Sequence, residues 1–117
     1  IDSWIYVQQH LCTNETEVIG YLNAILEKER DDNCILNCLY GKYSFGERAV
    51  LDEILNYIKN TDYHIRSSVL SIIQLILEDE SCTKECKRKI KITLTELLKR
   101  EKANAVKDQA EEIMRWL

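Results

Sequence analysis

The sequence contains no proline, only three glycines and no apolar run long enough to span a membrane. Its most apolar stretch, Val69 to Leu77, is interrupted by Ser71 and Gln74. The lack of proline, with 45% apolar and 31% charged residues, is typical of a globular all-helical chain. We therefore expect a single all-α domain over residues 1–117, large enough to bury a core, and no insertion into a membrane.

The chain also lacks the motifs of the common catalytic sites. It has no nucleophile elbow, no glycine-rich phosphate loop, no His-Glu-x-x-His run and no paired-acid motif. Its histidines are His10 and His64, and His64 follows Asp62 at an expected helix start, where a solvated side chain is the simpler interpretation. We therefore expect a protein that is not an enzyme and needs no cofactor.

Apolar residues recur at helical spacing along most of the chain, with short breaks between segments. Capping residues are expected to start several of the helices: Asn14 with Glu17, Ser44 with Glu47, Asp62 and Ser81. The predicted helices cover about residues 4–12, 14–30, 31–41, 44–60, 62–77, 81–103 and 106–117, and the helix of residues 62–77 is expected to be the most buried. Consecutive helices joined by short turns pack as antiparallel neighbours, so the sequence predicts a compact up-down domain of about five to seven helices.

Five cysteines include two pairs with the same spacing, Cys34-x3-Cys38 and Cys82-x3-Cys86. Residues four apart lie on one face of a helix, so two such faces set against each other can be joined twice. In an up-down arrangement the two cysteine helices run antiparallel. This predicts the disulfides Cys34–Cys86 and Cys38–Cys82, and leaves Cys12 free or paired between molecules. Each bridge stabilises the fold by about 3–4 kcal/mol in the chain-entropy model.

Three other interpretations of the cysteines stay open. A parallel arrangement of the helices pairs Cys34 with Cys82 and Cys38 with Cys86. All four can instead be buried free thiols, because cysteine packs as a small hydrophobe. A tetrahedral zinc site is disfavoured, since structural sites place their ligands on turns rather than on helices and no histidine is near either pair.

Two features favour an extracellular location. The chain opens at Ile1 without methionine and without a charged-then-apolar leader, as a mature secreted protein does, although an excised domain has the same appearance. Asn14-Glu15-Thr16 matches the acceptor sequence for N-glycosylation, and Asn14 is also the expected cap of the second helix. With the paired cysteines, these features predict a secreted protein.

Positive charge is concentrated in one part of the chain, although the net charge is −4. Residues 84–107 carry nine Lys or Arg against three Glu, whereas residues 1–83 carry 6 basic and 14 acidic residues. The basic stretch is a candidate contact surface for an acidic protein face or a sulfated polysaccharide, and its core is Lys84, Lys87, Arg88 and Lys91, followed by Lys99, Arg100 and Lys102. A solvated helix surface is the simpler alternative. Nucleic acid is not expected as a partner, because the chain is acidic overall.

Aromatic side chains form a second candidate contact surface. Tyr40, Tyr43 and Phe45 cluster around Gly41 and Gly46, in what the sequence predicts to be a short irregular segment. Exposed rings in such a segment suit a binding hot spot. The alternative is that they cover the end of the helical core.

Part of the sequence resembles HEAT repeats. Asp62-Tyr63-His64-Ile65-Arg66 is similar to the aspartate-to-arginine turn of these repeats, and Ala105-Val106-Lys107 matches its end 41 residues later, with lysine in place of arginine. HEAT helices repeat at about this period. For the C-terminal half of the chain, the resemblance implies an intracellular protein-interaction scaffold.

The first four cysteines, Cys12-x21-Cys34-x3-Cys38-x43-Cys82, resemble those of insect odorant-binding proteins, which are secreted helical carriers. Here Cys86 follows Cys82 too soon and a sixth cysteine is missing, so the match stops there. A carrier of this kind would hold an apolar ligand.

A third resemblance covers the character of the whole chain. An acidic helical chain with two Cys-x3-Cys pairs and the opening Ser3-Trp4-Ile5-Tyr6 resembles the anopheline mosquito salivary inhibitor family that includes albicin and anophensin. This resemblance implies a secreted salivary protein that evades host immunity by binding a host plasma protein complex. The implied target is the C3 convertase of the alternative complement pathway, and the contact-activation system of kinin release and coagulation is the alternative target. A complement inhibitor of this kind is the function we expect from the sequence, with the scaffold as its rival.

Overall fold

The structure is a computed structural model that describes residues 15–80 and 82–117. All regular elements in these ranges are helical and none is a β-strand, which confirms the all-α prediction. The six α-helices are α1 (Glu15–Lys28), α2 (Asp32–Ser44), α3 (Leu51–Asn56), α4 (Tyr63–Glu78), α5 (Lys84–Arg100) and α6 (Asn104–Met114). Two 3-10 turns, Arg48–Val50 and Tyr57–Lys59, lie directly before and after α3. The predicted first helix, Cys12 and Asn14 lie outside the described residues.

Contacts within the chain divide it into two compact units, with the boundary inside α3 between Ile54 and Leu55. We call the part up to Ile54 the first unit and the part from Leu55 the second unit. The expectation of a single domain stays a prediction.

In the first unit α1 packs against α2. Val18 and Leu22 of α1 and Cys38 of α2 form a buried cluster, which four partly buried side chains extend: Ile25, Leu26, Cys34 and Phe45. Asp31 begins α2 as predicted, because its carboxylate accepts hydrogen bonds from the backbone N–H groups of Asn33 at 2.8 Å and Cys34 at 3.4 Å.

The end of α2 differs from the sequence prediction. The helix continues through Gly41 to Ser44, since Leu36, Leu39 and Tyr43 bury its apolar side and outweigh the roughly 1 kcal/mol cost of a helical glycine. Ser44 is therefore the last residue of α2, and the predicted capping box with Glu47 is wrong. The chain turns instead at Gly46, whose φ of 106° favours glycine.

The second unit contains α4, α5 and α6. Asp62 caps α4 as predicted, by accepting a hydrogen bond from His64 N–H at 2.9 Å. The helix buries a wide apolar face formed by Ile65, Val69, Leu70, Ile72, Ile73 and Ile76. Its length agrees with the apolar pattern of the sequence.

The start of α5 lies later than predicted. Thr83 caps the helix, because its hydroxyl accepts a hydrogen bond from Cys86 N–H at 3.1 Å. The predicted cap, Ser81, lies outside the described residues. Cys82 therefore precedes the helix, and the prediction that both cysteine pairs are helical is wrong for Cys82, whereas Cys86 lies within α5. The expected break after α5 is confirmed by residues 101–103, which separate it from α6.

The two glycines with open surroundings allow a test of this backbone. Gly46→Ala should destabilise the fold by about 1 kcal/mol, because alanine is strained at a φ of 106°. Gly20→Ala should stabilise it by about 0.5–1 kcal/mol, because Gly20 lies within α1 and a Cβ there meets no atom within 4 Å. Urea unfolding of both variants measures the difference, and equal effects would contradict the turn geometry at Gly46.

Candidate protein-binding surface

The basic residues predicted to bind a partner lie on the exposed side of α5. Ile90, Leu94 and Leu97 bury the opposite side of the helix. Because the helix repeats every 3.6 residues, this apolar stripe directs the four predicted residues outward, and all four are exposed: Lys84, Lys87, Arg88 and Lys91. We call these four residues the α5 basic face.

One positive charge of the α5 basic face is neutralised within the helix. Arg88 Nε donates to Glu85 Oε2 at 3.0 Å, and this hydrogen bonding lowers the pKa of Glu85. In the described part of the chain, no carboxylate lies within ion-pair distance of Lys84, Lys87 or Lys91. Three cations on this face therefore point to solvent without a carboxylate partner.

An apolar side chain accompanies these cations. Ile92 is 52% exposed and follows Arg88 by one helical turn. Interfaces between proteins commonly combine an apolar centre with a polar rim. Ile92 therefore adds one exposed apolar side chain at the edge of the α5 basic face.

The aromatic segment has a different environment from the one predicted for a hot spot. Tyr43 is only 4% exposed, and the guanidinium of Arg48 lies 4.4 Å from the centre of its ring. Phe45 is half-buried and packs against the core of the first unit. The burial of Tyr43 within α2 favours the alternative, that its ring covers the end of the helical core, and a contact role for it stays a prediction. Tyr40 is half-buried, and a contact role for it stays a prediction.

Cys34 and Cys38 lie one turn apart on α2 and their thiols interact with each other. Burial, followed by the neighbouring Cys34, raises the pKa of Cys38 to about 11. Burial and a hydrogen bond with Glu29 raise the pKa of Cys34. Both side chains belong to the core of the first unit.

Cys82 and Cys86 interact in the same way in the second unit, although only Cys86 is helical. Burial, followed by the hydrogen bond with Cys86, raises the pKa of Cys82 to about 11. None of the four described cysteines forms a disulfide in the structure. The disulfides Cys34–Cys86 and Cys38–Cys82 therefore stay predictions.

The second unit contains the same helical pattern twice. Asp62 and Ala103 are the N-cap residues of α4 and α6 and lie 41 residues apart. Three pairs of buried positions repeat at the same offset: Ile65 with Val106, Val69 with Ala110, and Ile72 with Ile113. The two helices pack on each other, α5 packs on α6, and the 3-10 turn Tyr57–Lys59 contacts both α4 and α5. Helical-repeat proteins stack successive helical pairs in this way.

Polar contacts reinforce the packing of α4 on α6. Ser67 Oγ donates to Gln109 Oε1 at 2.9 Å, and Gln109 Nε2 donates to Ser71 Oγ at 3.2 Å. One amide of α6 thus joins two turns of α4. These bonds fix the register of the two equivalent helices.

An ion pair joins the two helical pairs at their turns. Arg66 Nε donates to Glu101 Oε1 at 2.7 Å, and Arg66 Nη2 donates to Glu101 Oε2 at 2.8 Å. The carboxylate is almost fully buried, with 1% of its side chain exposed. Hydrogen bonding from Arg66 lowers the pKa of Glu101. Arg66 Nη1 also donates to the carbonyls of Asn60 and Thr61, at 2.8 and 3.1 Å.

The sequence analysis identified Arg66 as part of a repeat motif but missed Glu101. Glu101 is the one buried charged residue in the described part of the chain. Its neighbours Arg100 and Lys102 are charged and exposed, so the local sequence indicates a solvated turn. The 41-residue offset makes Glu101 the equivalent of Asn60 in the repeat. This offset is the one sequence signal that links Glu101 to the turn before α4.

Breaking this ion pair tests its role in the fold. Arg66→Met should destabilise the protein by about 3–5 kcal/mol, because it leaves a buried carboxylate without its partner. The pair stabilises the fold above the ordinary carboxyl pKa, and this contribution disappears as the pH falls through the lowered pKa of Glu101. The stability difference between wild type and Glu101→Gln should therefore shrink on acidification.

Thermal unfolding between neutral and acid pH measures this effect. Glu85→Gln is the matched control, because it breaks the exposed pair with Arg88 and should change stability little at any pH. A pH-independent loss of stability in Glu101→Gln would contradict the role of the ionised pair.

The second unit therefore presents a basic helix face on a repeated helical framework. Of the helices that the structure describes, none is both long and apolar enough to cross a membrane. In the same residues, no three His, Cys, Asp or Glu side chains converge in a way that would hold a metal ion. Comparisons with protein-family models, curated protein sequences and solved structures found no match to this chain.

Proposed function

We propose that this protein acts by binding another protein, without catalysing a reaction, and that its second unit is a scaffold of stacked helical pairs of the HEAT type. The observation that carries this proposal is the structural repeat of α4 and α6. Their N-caps and three pairs of buried positions are related by one 41-residue offset. Stacked helical pairs form extended surfaces that bind other proteins.

The contact surface in this proposal is the α5 basic face with Ile92. Its lysines have no carboxylate partner in residues 15–80 and 82–117, so an acidic partner can approach them without displacing a described ion pair. Charges of one sign on one face orient and accelerate the encounter with an oppositely charged partner. Ile92 adds exposed apolar area next to Arg88, at the edge of this face.

The second candidate is a secreted inhibitor of a host plasma protein assembly, most specifically the alternative-pathway C3 convertase or the contact-activation system. The α5 basic face favours this candidate too, since an inhibitor without chemistry of its own depends on such a surface. A sulfated polysaccharide is a further ligand of this face. In this proposal the disulfides Cys34–Cys86 and Cys38–Cys82 staple the secreted protein.

The redox state of the cysteines separates the two candidates. Peptide mapping without reduction, on protein from its natural source, should find Cys34, Cys38, Cys82 and Cys86 as thiols if the protein is an intracellular scaffold. The secreted inhibitor predicts bridges from Cys34 to Cys86 and from Cys38 to Cys82. Intact masses before and after alkylation give the number of free thiols independently.

Charge reversal tests the contact surface. A Lys87→Glu, Arg88→Glu, Lys91→Glu variant should weaken partner binding by at least about tenfold, because it removes attraction and adds repulsion at a desolvated interface. The partner for this measurement is the protein that cross-links to a photoreactive group at position 92. Lys28→Glu, Arg30→Glu, Arg115→Glu reverses three exposed charges elsewhere and should leave the affinity unchanged.

The same two variants test the inhibitor in an alternative-pathway haemolysis assay and a contact-activation assay. Wild-type protein and the control variant should inhibit, whereas the variant of the α5 basic face should not. A wild-type protein that is inactive in both assays would rule out the inhibitor and leave the scaffold. Equal binding by both variants would exclude the α5 basic face as the contact surface.

A further inference from the structure

A cleft of about 240 Å³ opens between the two turns of the second unit, at the C-terminal end of α5, whereas the α5 basic face lies in the N-terminal half of that helix. One wall is the end of the 3-10 turn Tyr57–Lys59 and the residues before α4. The other is the end of α5 and the residues before α6. Six of its lining residues matter for its chemistry: Lys59, Asn60, Arg66, Arg100, Glu101 and Lys102. Lys59 and Arg100 are equivalent positions, 41 residues apart.

The lining of this cleft is strongly positive. Four cations and one carboxylate line it, which leaves a net charge of +3. Arg66 and Glu101 neutralise each other, and the remaining donors of Arg66 bind the carbonyls of Asn60 and Thr61. The excess charge therefore belongs to Lys59, Arg100 and Lys102. All three are exposed, and no carboxylate of the described residues lies within ion-pair distance of them.

The two turns that carry these cations are held in place. Arg66 binds both of them at once, through Glu101 on one side and the backbone of residues 60–61 on the other. Glu101 Oε2 also accepts a hydrogen bond from Ala103 N–H at 3.0 Å, and Asn60 Oδ1 accepts one from Asp62 N–H at 2.8 Å. A ligand therefore meets turns that are already ordered, which lowers the entropic cost of binding.

Helix-end electrostatics explain only part of this arrangement. Lys59 and Arg100 are the last residues of helical segments, where a cation stabilises the negative end of the helix dipole. Lys102 lies two residues beyond the end of α5 and is not part of a helix. Three like charges around one cleft repel each other, and an anionic ligand relieves this repulsion.

We propose that this cleft binds an acidic peptide segment of the partner protein, with the carboxylates of Asp or Glu side chains contacting Lys59, Arg100 and Lys102. The three cations lie on two turns of the chain, Lys59 on one and Arg100 and Lys102 on the other, so they suit carboxylates spread along a peptide. A single phosphate group is usually held at a helix N-terminus by converging backbone N–H groups, whereas Lys59 and Arg100 stand at helical C-terminal ends. This inference rests on the proposed function and names the chemistry of the partner.

A fluorescent oligoglutamate peptide is the probe for this site. Binding is measured by anisotropy at low ionic strength for the wild type and two matched variants. Lys59→Gln, Arg100→Gln, Lys102→Gln removes three charges of the cleft, and Lys28→Gln, Arg30→Gln, Arg115→Gln removes three exposed charges that belong neither to the cleft nor to the α5 basic face. The cleft variant should bind at least about tenfold more weakly, as expected from three partly exposed ion pairs, and the other variant within about twofold of wild type.

Amide chemical shifts on titration should change mainly in residues 59–62 and 100–103, a readout that does not depend on a variant. Equal losses in the two variants would overturn the proposal, because they indicate attraction by net charge alone. Absence of peptide binding to the wild type would also overturn it. Stronger competition by a heparin-derived oligosaccharide or inorganic phosphate than by unlabelled peptide would assign the cleft to that ligand instead.

The test separates this inference from the proposed function. If the cleft variant still binds the peptide but reversal at Lys87, Arg88 and Lys91 abolishes partner binding, the scaffold proposal stands and the cleft is not part of its interface. If the cleft variant loses both the peptide and the partner, but reversal at Lys87, Arg88 and Lys91 leaves partner binding unchanged, the cleft stands and the α5 contact surface is wrong.

Discussion

The ion pair between Arg66 and Glu101 determines how the second unit is arranged. A carboxylate that is 1% exposed requires hydrogen bonds to offset the loss of water, and Arg66 supplies two of them. The same guanidinium binds the backbone of the preceding turn, so one side chain positions the start of α4 and the end of α5 together. The order of both turns, and with it the shape of the cleft, depends on this contact.

Charge and framework point to the same kind of activity. Both candidate contact surfaces of the second unit are basic, and both take part of their residues from α5. The buried faces of α4 and α6 repeat at one offset, which gives a rigid support for these surfaces. A scaffold and a secreted inhibitor both use a protein in this way, since each depends on a surface held in a fixed geometry rather than on a reactive group.

Local signals in the sequence were enough to predict much of the helical structure. Asp31 and Asp62 each precede an apolar helical pattern, and both cap helices in the structure. Ser44 is not a cap because burial of the helix before it outweighed a four-residue motif, and the next long helix begins after Thr83, later than the sequence predicted. A short capping signal does not identify a helix start when tertiary packing favours a neighbouring residue.

The candidate sites were harder to predict, because they depend on residues that are distant in the sequence. The basic residues of α5 form one stretch, so their shared exposed face follows from helical spacing alone. Lys59 belongs to the cleft only because the fold brings its turn beside residues 100–102. The burial of Tyr43 likewise depends on how far α2 extends, which the glycine at position 41 obscured.

The equivalence of Lys59 and Arg100 has a geometric consequence for any ligand that follows this edge. Packed helices lie about 8–10 Å apart, so cations at equivalent places in successive helical pairs are separated by about one such step. An extended peptide advances about 3.3 Å per residue, so about every third residue would face a cation. The stacking distance of the helices would thus set the spacing of acidic residues that the edge selects.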